Sequence, residues 1–312
     1  MRVGVVGATG YVGSELCRWL LEHPRFELTS VVSTSRAGRA LADEVPALSG
    51  LTDLVLQPFD ERLGALDAVF LATPHGAARP LVGALDGVPL LVDASADHRH
   101  APGWVYGQPE LVGDALVGAT RIAAPGCFAT ALELAIGPLV KAGLVTGAVT
   151  ATGMTGSTGS GATPSDGTHH PLRAVNLKAY KVLSHQHVPE VRGLLAALGE
   201  APPLHFVPHS APVDRGILVT AFVPVSGSPM SALDDAYRGH RLVRRRVGSP
   251  ELRHVRGTAF ADLAVAEGAG VAVVMVAIDN LGKGAAAQAV QAANVALGWE
   301  GTTGLLRAAT TP

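Results

Sequence analysis

Apolar residues fall into two kinds of register along this chain. In the first part, short apolar runs end in polar or glycine-rich clusters: Arg2–Val6, 28–32, 67–72 and Leu90–Asp93. Each reads as a buried parallel strand, and residues 14–23 between the first two read as a helix. Residues 120–123 are strand-like, and 129–142 follow with Leu132, Ile136, Leu139 and Val140 at helical spacing. Beyond residue 145 the strands come in runs, at 145–154, 204–208, 217–225 and 271–278. Helices are expected at 231–242 and 283–297, and residues 163–184 are polar and irregular. Alternation followed by runs predicts an α/β domain with a parallel sheet, then an α+β domain with a largely antiparallel sheet.

The junctions carry the candidate chemistry. Gly7-Ala8-Thr9-Gly10-Tyr11-Val12-Gly13 lies between the first strand and the first helix. A glycine turn there lets backbone N–H groups approach a pyrophosphate, which makes the first domain Rossmann-type and Gly7, Thr9, Gly10, Tyr11 and Val12 candidate cofactor contacts. The second strand ends in Ser33-Thr34-Ser35-Arg36, where an NAD site would place an acid. Hydroxyls and Arg36 suit a 2′-phosphate instead, so NADP is the expected cofactor. Thr73-Pro74-His75-Gly76 and Ala94-Ser95-Ala96-Asp97 end later strands and are expected to line the cofactor cleft, with Ser95 a contact and His75 in a supporting role.

The central stretch is Ala124-Pro125-Gly126-Cys127-Phe128-Ala129-Thr130. Pro-Gly makes a sharp turn, so Cys127 is expected where a helix begins. Free N–H groups and the helix dipole there favour the thiolate, the form that attacks a carbonyl carbon. Cys17, inside an apolar helical stretch, reads as packing.

Composition narrows the class. The 312 residues are 48% hydrophobic, enough for a large core in two domains, and the net charge of −2 argues against a nucleic-acid protein. Two cysteines make no disulfide framework, and a working thiol suits a reducing, cytoplasmic setting. No apolar run reaches the ~20 residues of a membrane helix, and no cleavable leader is read at the N-terminus.

Further segments occur in one order with these: Ser95-Ala96-Asp97, the loop 156–161, His185-Gln186-His187-Val188-Pro189-Glu190, Arg215-Gly216-Ile217 and Asp279-Asn280-Leu281-Gly282-Lys283-Gly284. The series resembles the N-acetyl-γ-glutamyl-phosphate reductases over essentially the whole chain. It equally resembles their sister enzymes, which reduce a carrier-protein-bound aminoadipyl phosphate. Departures are Gln186 where that family has arginine, Phe128-Ala129 where it often has Tyr-Pro, and a shorter stretch after Arg99. The resemblance implies reduction of an acyl phosphate to a semialdehyde with NADPH. It also implies a homo-oligomer, dimer or tetramer, with residues 1–127 and 285–312 binding nucleotide and 128–284 catalytic and dimer-forming.

Such a reaction needs a thiolate, a proton donor for the oxyanion, and cations for phosphate or carboxylate. Cys127 is the nucleophile. His187 is the first choice of donor and His185 the second, with His185 otherwise a substrate contact; on a strand the two would face one side. Glu190 binds substrate, orients the histidine or serves a helix dipole. Arg215 is the best oxyanion fork and Arg99 a weaker one. Ser157 and Gly159 belong to a loop that lets backbone near the nicotinamide or phosphate, and Asn280 suits its carboxamide. A metal pair at His185 and His187, completed by His169 and His170, is set aside, and no metal is expected. Arg241, Arg244, Arg245, Arg246 and Arg253 form a basic run that a small acidic carrier protein could use.

Other classes compete. A short-chain reductase would need Tyr-x-x-x-Lys, and no tyrosine here has lysine four residues on. A non-enzymatic NADP sensor would not need Cys127 with His187. Aspartate-semialdehyde dehydrogenase shares the chemistry, but the 279–284 segment fits the acyl-glutamyl type better.

Overall fold

The computed structural model describes residues 1–310 and divides into two compact units. The first comprises Met1–Gly126 and Ala285–Leu306. It runs β1 (Arg2–Val6), α1 (Tyr11–Leu21), β2 (Glu27–Val32), the one-turn α2 (Leu41–Glu44), β3 (Ala68–Leu71), the one-turn α3 (Arg79–Val82), β4 (Leu90–Asp93), β5 (Val105–Tyr106), α4 (Pro109–Leu116) and β6 (Arg121–Ala123). The sheet order is β2-β1-β3-β4-β6-β5, and every pairing is parallel. The chain leaves β1 toward β2 on one side and later returns to its other side with β3. The turn after β1 therefore lies at the topological switch point, where ligands of open parallel sheets bind. Val6, Val32, Val69, Leu71 and Leu91 form one core layer with Leu63, Leu66 and Leu85.

The second unit begins at Cys127 and runs to Gly284, and residues 307–310 also belong to it. It contains α5 (Cys127–Lys141), β7 (Val149–Thr155), the one-turn α6 (His170–Arg173), β8 (Lys178–Ala179), α7 (His187–Leu198), β9 (Leu204–Ser210), β10 (Ile217–Pro224), α8 (Pro229–Ala236), β11 (Val243–Arg245), β12 (Ala261–Gly268) and β13 (Val271–Ile278). The seven strands are ordered β11-β12-β13-β10-β7-β9-β8. Four pairings are antiparallel; β11 with β12 and β7 with β9 are parallel. One face buries Val149, Ala151, Phe206, Val219, Ala221, Val274 and Val276 against Phe128, Leu132, Ile136 and Leu139 of α5 and Val191 and Leu195 of α7. Alternate residues on the other face, including Thr150, Met154, His205 and Phe222, are exposed.

A π-helical turn, Gly282–Ala286, precedes the last helix, α9 (Ala287–Ala296), which belongs to the first unit. Its buried polar residues lie three apart and fasten it there. Gln288 donates to the Gly107 carbonyl (3.1 Å), Gln291 donates to Glu110 (2.8 Å), and Asn294 meets His23 Nε2 (3.2 Å).

Several element expectations need correction. The first helix starts at Tyr11, three residues before the expected 14, because the helix opens inside the glycine turn. The strand expected from 145 starts at Val149; Val145 makes only an isolated bridge to Val225. The helix expected over 231–242 ends at Ala236, and β12 was not anticipated. Residues 307–310 join the second unit rather than the first. Residues 311–312, also assigned to the nucleotide unit, lie outside the described residues.

Candidate active site

In the first unit the glycines of the turn at 7–13 have different reasons to be glycine. Gly7 has φ +89°, and a Cβ on it would sit 2.5 Å from the Ala72 carbonyl oxygen. A Cβ on Gly13 would lie 2.0 Å from the Gly7 oxygen, so the helix can approach the strand only without one. A Cβ on Gly10 would meet nothing closer than 3.6 Å. Packing explains Gly7 and Gly13; at Gly10 it leaves open room beside the helix start. Gly10 caps α1 with no side-chain bond and no acid in the first turn. Among the described residues no protein acceptor takes the amides of Tyr11, Val12 and Gly13. Open space, free donors and a positive dipole end together fit a pyrophosphate.

Past β2, Thr9 and Ser33 meet through their hydroxyls (3.3 Å). Arg36 and Arg39 both bind Glu44. Desolvation works to raise the Glu44 carboxyl, but the two guanidinium groups hold it below the usual carboxylate range. Arg36 is thus one arm of a two-arginine cluster, and sequence reading missed Arg39 and Glu44. Ser95, expected as a cofactor contact, is committed internally. Its hydroxyl donates to Asp93 (2.9 Å) and accepts from the Asp97 amide (3.1 Å). Asp97 accepts from the Gly76, Ala78 and Arg79 amides, so this network ties the ends of β3 and β4. Arg99, expected to bind substrate, donates through Nε to the Ala124 carbonyl (3.0 Å) and braces the approach to Pro125.

In the second unit Cys127 is the first residue of α5, partly exposed, with no acid in the first turn. A Cβ on Gly284 would lie 2.9 Å from Cys127 Cβ, so the segment after β13 closes directly on the cysteine. Cys17 is fully buried, and burial pushes its thiol up to about 12. The two thiols therefore differ in access.

The two histidines are not on a strand. His185 lies in the turn before α7, and His187 is that helix's first residue. The His185 ring sits edge-on among Phe128 (5.4 Å), Tyr180 (5.8 Å), His187 (4.7 Å) and Phe206 (5.7 Å). It is 3% exposed, and burial, helped by the Lys181 charge, pushes its pKa down to about 4. His185 is accordingly neutral at pH 7. Its Nδ1 accepts from the His187 amide (3.2 Å), which assigns the ring proton to Nε2. This enclosure corrects the substrate-contact expectation: His185 packs beside Phe128 and fixes the turn that presents His187. Glu190 follows one helical turn after His187, on the same face, and both are buried. Gln186 accepts from Lys181 Nζ (2.7 Å).

Three expectations in this unit change role. Arg215 donates through Nε to both oxygens of the fully buried Asp279, at 2.8 and 2.6 Å. Asp279 also accepts from the Leu281, Gly282 and Gly257 amides. Arg215 is therefore the counter-ion of a buried hub. In the loop at 156–161, Gly156, Ser157 and Thr158 donate their amides to Gly216, Val213 and Asp214 carbonyls at 3.0 Å each. A Cβ on Gly156 would lie 2.5 Å from the Asp214 oxygen. The loop's amides thus brace it against 213–216 instead of cradling a ligand, and Gly159 donates back to Gly156. Asn280 accepts from the Gly216 amide (2.7 Å) and donates to Thr158 Oγ1 (3.0 Å), completing the brace.

Comparison with known proteins accords with both halves. Residues 2–119 match the family model for a semialdehyde dehydrogenase NAD binding domain, and 127–280 the corresponding dimerisation domain. The chain is 37% identical to an N-acetyl-gamma-glutamyl-phosphate reductase of Methanocella arvoryzae, over 100% of both chains. It is 38% identical to the reductase of that name from Mycobacterium avium, covering 98% of this chain and 97% of the relative. The chain belongs to the N-acetyl-gamma-glutamyl-phosphate reductase family. Solved aspartate semialdehyde dehydrogenases share the fold. The Vibrio cholerae enzyme complexed with ASA has a TM-score of 0.77 at 16% identity, covering 94% of this chain and 97% of that one. The Candida albicans enzyme with NADP has 0.71 at 18%, covering 94% and 99%.

Within this reductase family member, much of the basic run is held in ion pairs. Arg244 and Arg246 both hold the buried Asp262, Arg245 holds Asp234, and Arg253 holds Glu251. His169 and His170 lie on an exposed stretch, whereas His185 and His187 are buried. Among the described residues no group of three or more His, Cys, Asp or Glu side chains could hold a metal ion, and no helix is long and apolar enough to cross a membrane.

Proposed function

We propose that the chain reduces N-acetyl-γ-glutamyl phosphate to N-acetylglutamate semialdehyde and inorganic phosphate through a thioester on Cys127. The observation that carries this reading is Cys127 itself: an accessible thiol at the first position of a fifteen-residue helix, near a neutral His185 that anchors His187. Cys127 Sγ attacks the acyl carbon; the S–C bond forms and the C–O bond to phosphorus breaks, so phosphate leaves with that electron pair. NADPH, when bound, supplies the hydride that reduces the thioester. His187 protonates the resulting oxyanion, and collapse of the thiohemiacetal releases aldehyde and regenerates the thiol. Glu190, on the same helix face, holds His187 or the substrate.

The first unit suits NADP. The turn at 7–13 and the start of α1 would hold the pyrophosphate, Thr9 and Ser33 lie on the ribose side, and Arg36 with Arg39 would take the 2′-phosphate. Residues 285–306 complete this nucleotide unit. The exposed sheet face bearing Met154 and Phe222, in the part matched by a dimerisation-domain model, supports pairing with a second copy. A working thiol held outside any disulfide supports a cytoplasmic location. Ion pairing of Arg244, Arg245, Arg246 and Arg253 with Asp262, Asp234 and Glu251 weakens the case for an acidic carrier and favours the small acetylated substrate.

The test is NADP reduction with phosphate plus N-acetylglutamate semialdehyde, run beside the carrier-bound aminoadipate analogue. Phosphate-dependent turnover with the acetylated aldehyde is expected. Turnover with the carrier-bound analogue alone moves the chain to the sister activity, and none with either leaves an NADP-binding protein without this chemistry.

A further inference from the structure

The arginines first expected to meet substrate oxyanions are engaged elsewhere, Arg215 by Asp279 and Arg99 by the Ala124 carbonyl. An acyl phosphate still needs a cation on the side where phosphate departs. Arg173, at the end of α6, is partly buried. Its Nη2 donates to the carbonyl of Thr155, the last residue of β7, at 3.0 Å. Its Nε is shielded from solvent and has no hydrogen-bond partner, and Arg173 makes no ion pair among the described residues. A guanidinium stays charged under these conditions, so its side chain is a half-buried cation with a donor unused.

Its surroundings lead to the nucleophile. Burial pulls the Arg173 pKa below its usual value, and the Tyr180 phenol partly offsets this. Tyr180, raised by burial, also feels the Cys127 sulfur. Its ring lies 5.8 Å from His185, which lies 5.4 Å from Phe128, the neighbour of Cys127 in α5. A Cβ on Gly153 of β7 would lie 2.4 Å from the Phe128 ring, so Arg173 binds the end of the strand that packs on the residue next to Cys127.

We infer that Arg173 is the guanidinium that receives the phosphoryl group of the substrate, and inorganic phosphate in the reverse reaction. In an acyl phosphate the phosphorus is two bonds from the carbon the thiol attacks, whereas the α-carboxylate is at the far end of the acyl chain. A cation beside the thiol's neighbour therefore meets the phosphate first. The Nε–H and the remaining Nη protons give the fork that oxyanions accept in pairs. This inference rests on the reaction proposed above.

Two measurements test it, on the full chain, with Arg173→Met and the charge-keeping Arg173→Lys. In the reverse reaction Arg173→Met raises KM for inorganic phosphate about tenfold or more and leaves KM for the semialdehyde within about threefold; Arg173→Lys recovers part of the loss. Without cofactor or turnover, inorganic phosphate slows iodoacetamide labelling of Cys127 in the wild type but not in Arg173→Met. Unchanged phosphate KM, or a rise confined to the semialdehyde KM, overturns the assignment, as does equal phosphate protection in wild type and both variants. If Arg173→Met does not fold, Arg173→Lys decides: a phosphate KM equal to wild type overturns it. A wild-type chain with no phosphate-dependent NADP reduction overturns the reaction instead, and the protection experiment still reports whether Arg173 meets phosphate.

Discussion

The two glycine-rich loops of this chain look alike in composition and have opposite fates. At 7–13 the amides of Tyr11, Val12 and Gly13 have no protein acceptor among the described residues, and a Cβ on Gly10 would meet nothing closer than 3.6 Å. At 156–161 the amides of Gly156, Ser157 and Thr158 are bonded to residues 213–216, and Asn280 locks the arrangement. The first loop is a receptor and the second a brace. What separates them is whether neighbouring chain already uses the backbone donors, and glycine content does not reveal that.

The largest effects are expected at the tight glycines. Gly13→Ala sets a Cβ against the Gly7 carbonyl, so it is expected to lower stability by about 3 kcal/mol and to abolish NADP binding. Gly156→Ala, facing the Asp214 carbonyl, is expected to cost about 1–3 kcal/mol and leave the NADP Kd of the folded protein unchanged. Denaturant midpoints and nucleotide titration measure both. A weakened NADP Kd in Gly156→Ala would make the second loop a receptor too.

Gly10→Ala sharpens the contrast. Its Cβ makes only an ordinary 3.6 Å contact with the Gly7 oxygen, so the melting temperature is expected to stay within about 2 °C while NADP binds about 10–100-fold more weakly. Arg36→Ala follows with an effect of the same order. Losing a charge-assisted bond to the 2′-phosphate is expected to weaken NADP by about 1–3 kcal/mol and NAD hardly at all. Equal loss for both nucleotides would remove Arg36 from that role.

The last effect belongs to the internally satisfied second unit. His185 has its pKa depressed from 6.5 to about 4, so its contribution to stability is fully present above pH 6.5 and is lost as pH falls toward 4. Acid in that window charges a buried ring and removes the acceptor of the His187 amide. Stability is expected to fall by order 1–3 kcal/mol from this group between pH 6.5 and 4, and His185→Gln to flatten that limb. A wild-type curve no steeper than the variant's would contradict it.

The sequence carried the first unit further than the second. β1, its glycine turn and the helix after it form a local pattern, with apolar period, turn and cap all within about twenty residues. β12 escaped because Ala261, Asp262, Leu263 and Ala264 are all buried, so no alternation appears and its alanines lack strand preference. α7 escaped as a whole: Pro189 disfavours a helix by propensity, although a helix's first turn accepts proline. Cys127 was legible from Pro125-Gly126 and the apolar helix behind it. The partners of the arginines were not: Asp279 lies 64 residues from Arg215, and nothing in either neighbourhood announces the pair. Arg173, in a segment that reads as irregular, has no sequence signal beyond its charge.

A single-turnover experiment without NADPH tests the covalent role proposed for Cys127. Enzyme mixed with N-acetyl-γ-glutamyl phosphate is quenched in acid, and released phosphate and the masses of cysteine-containing peptides are read together. A rapid release of about one phosphate per active site is expected, with the acyl group on the Cys127 peptide, none on the Cys17 peptide, and neither signal in Cys127→Ser. Phosphate release without acylated Cys127, or a Cys127→Ser protein that still turns over with NADPH, would contradict it.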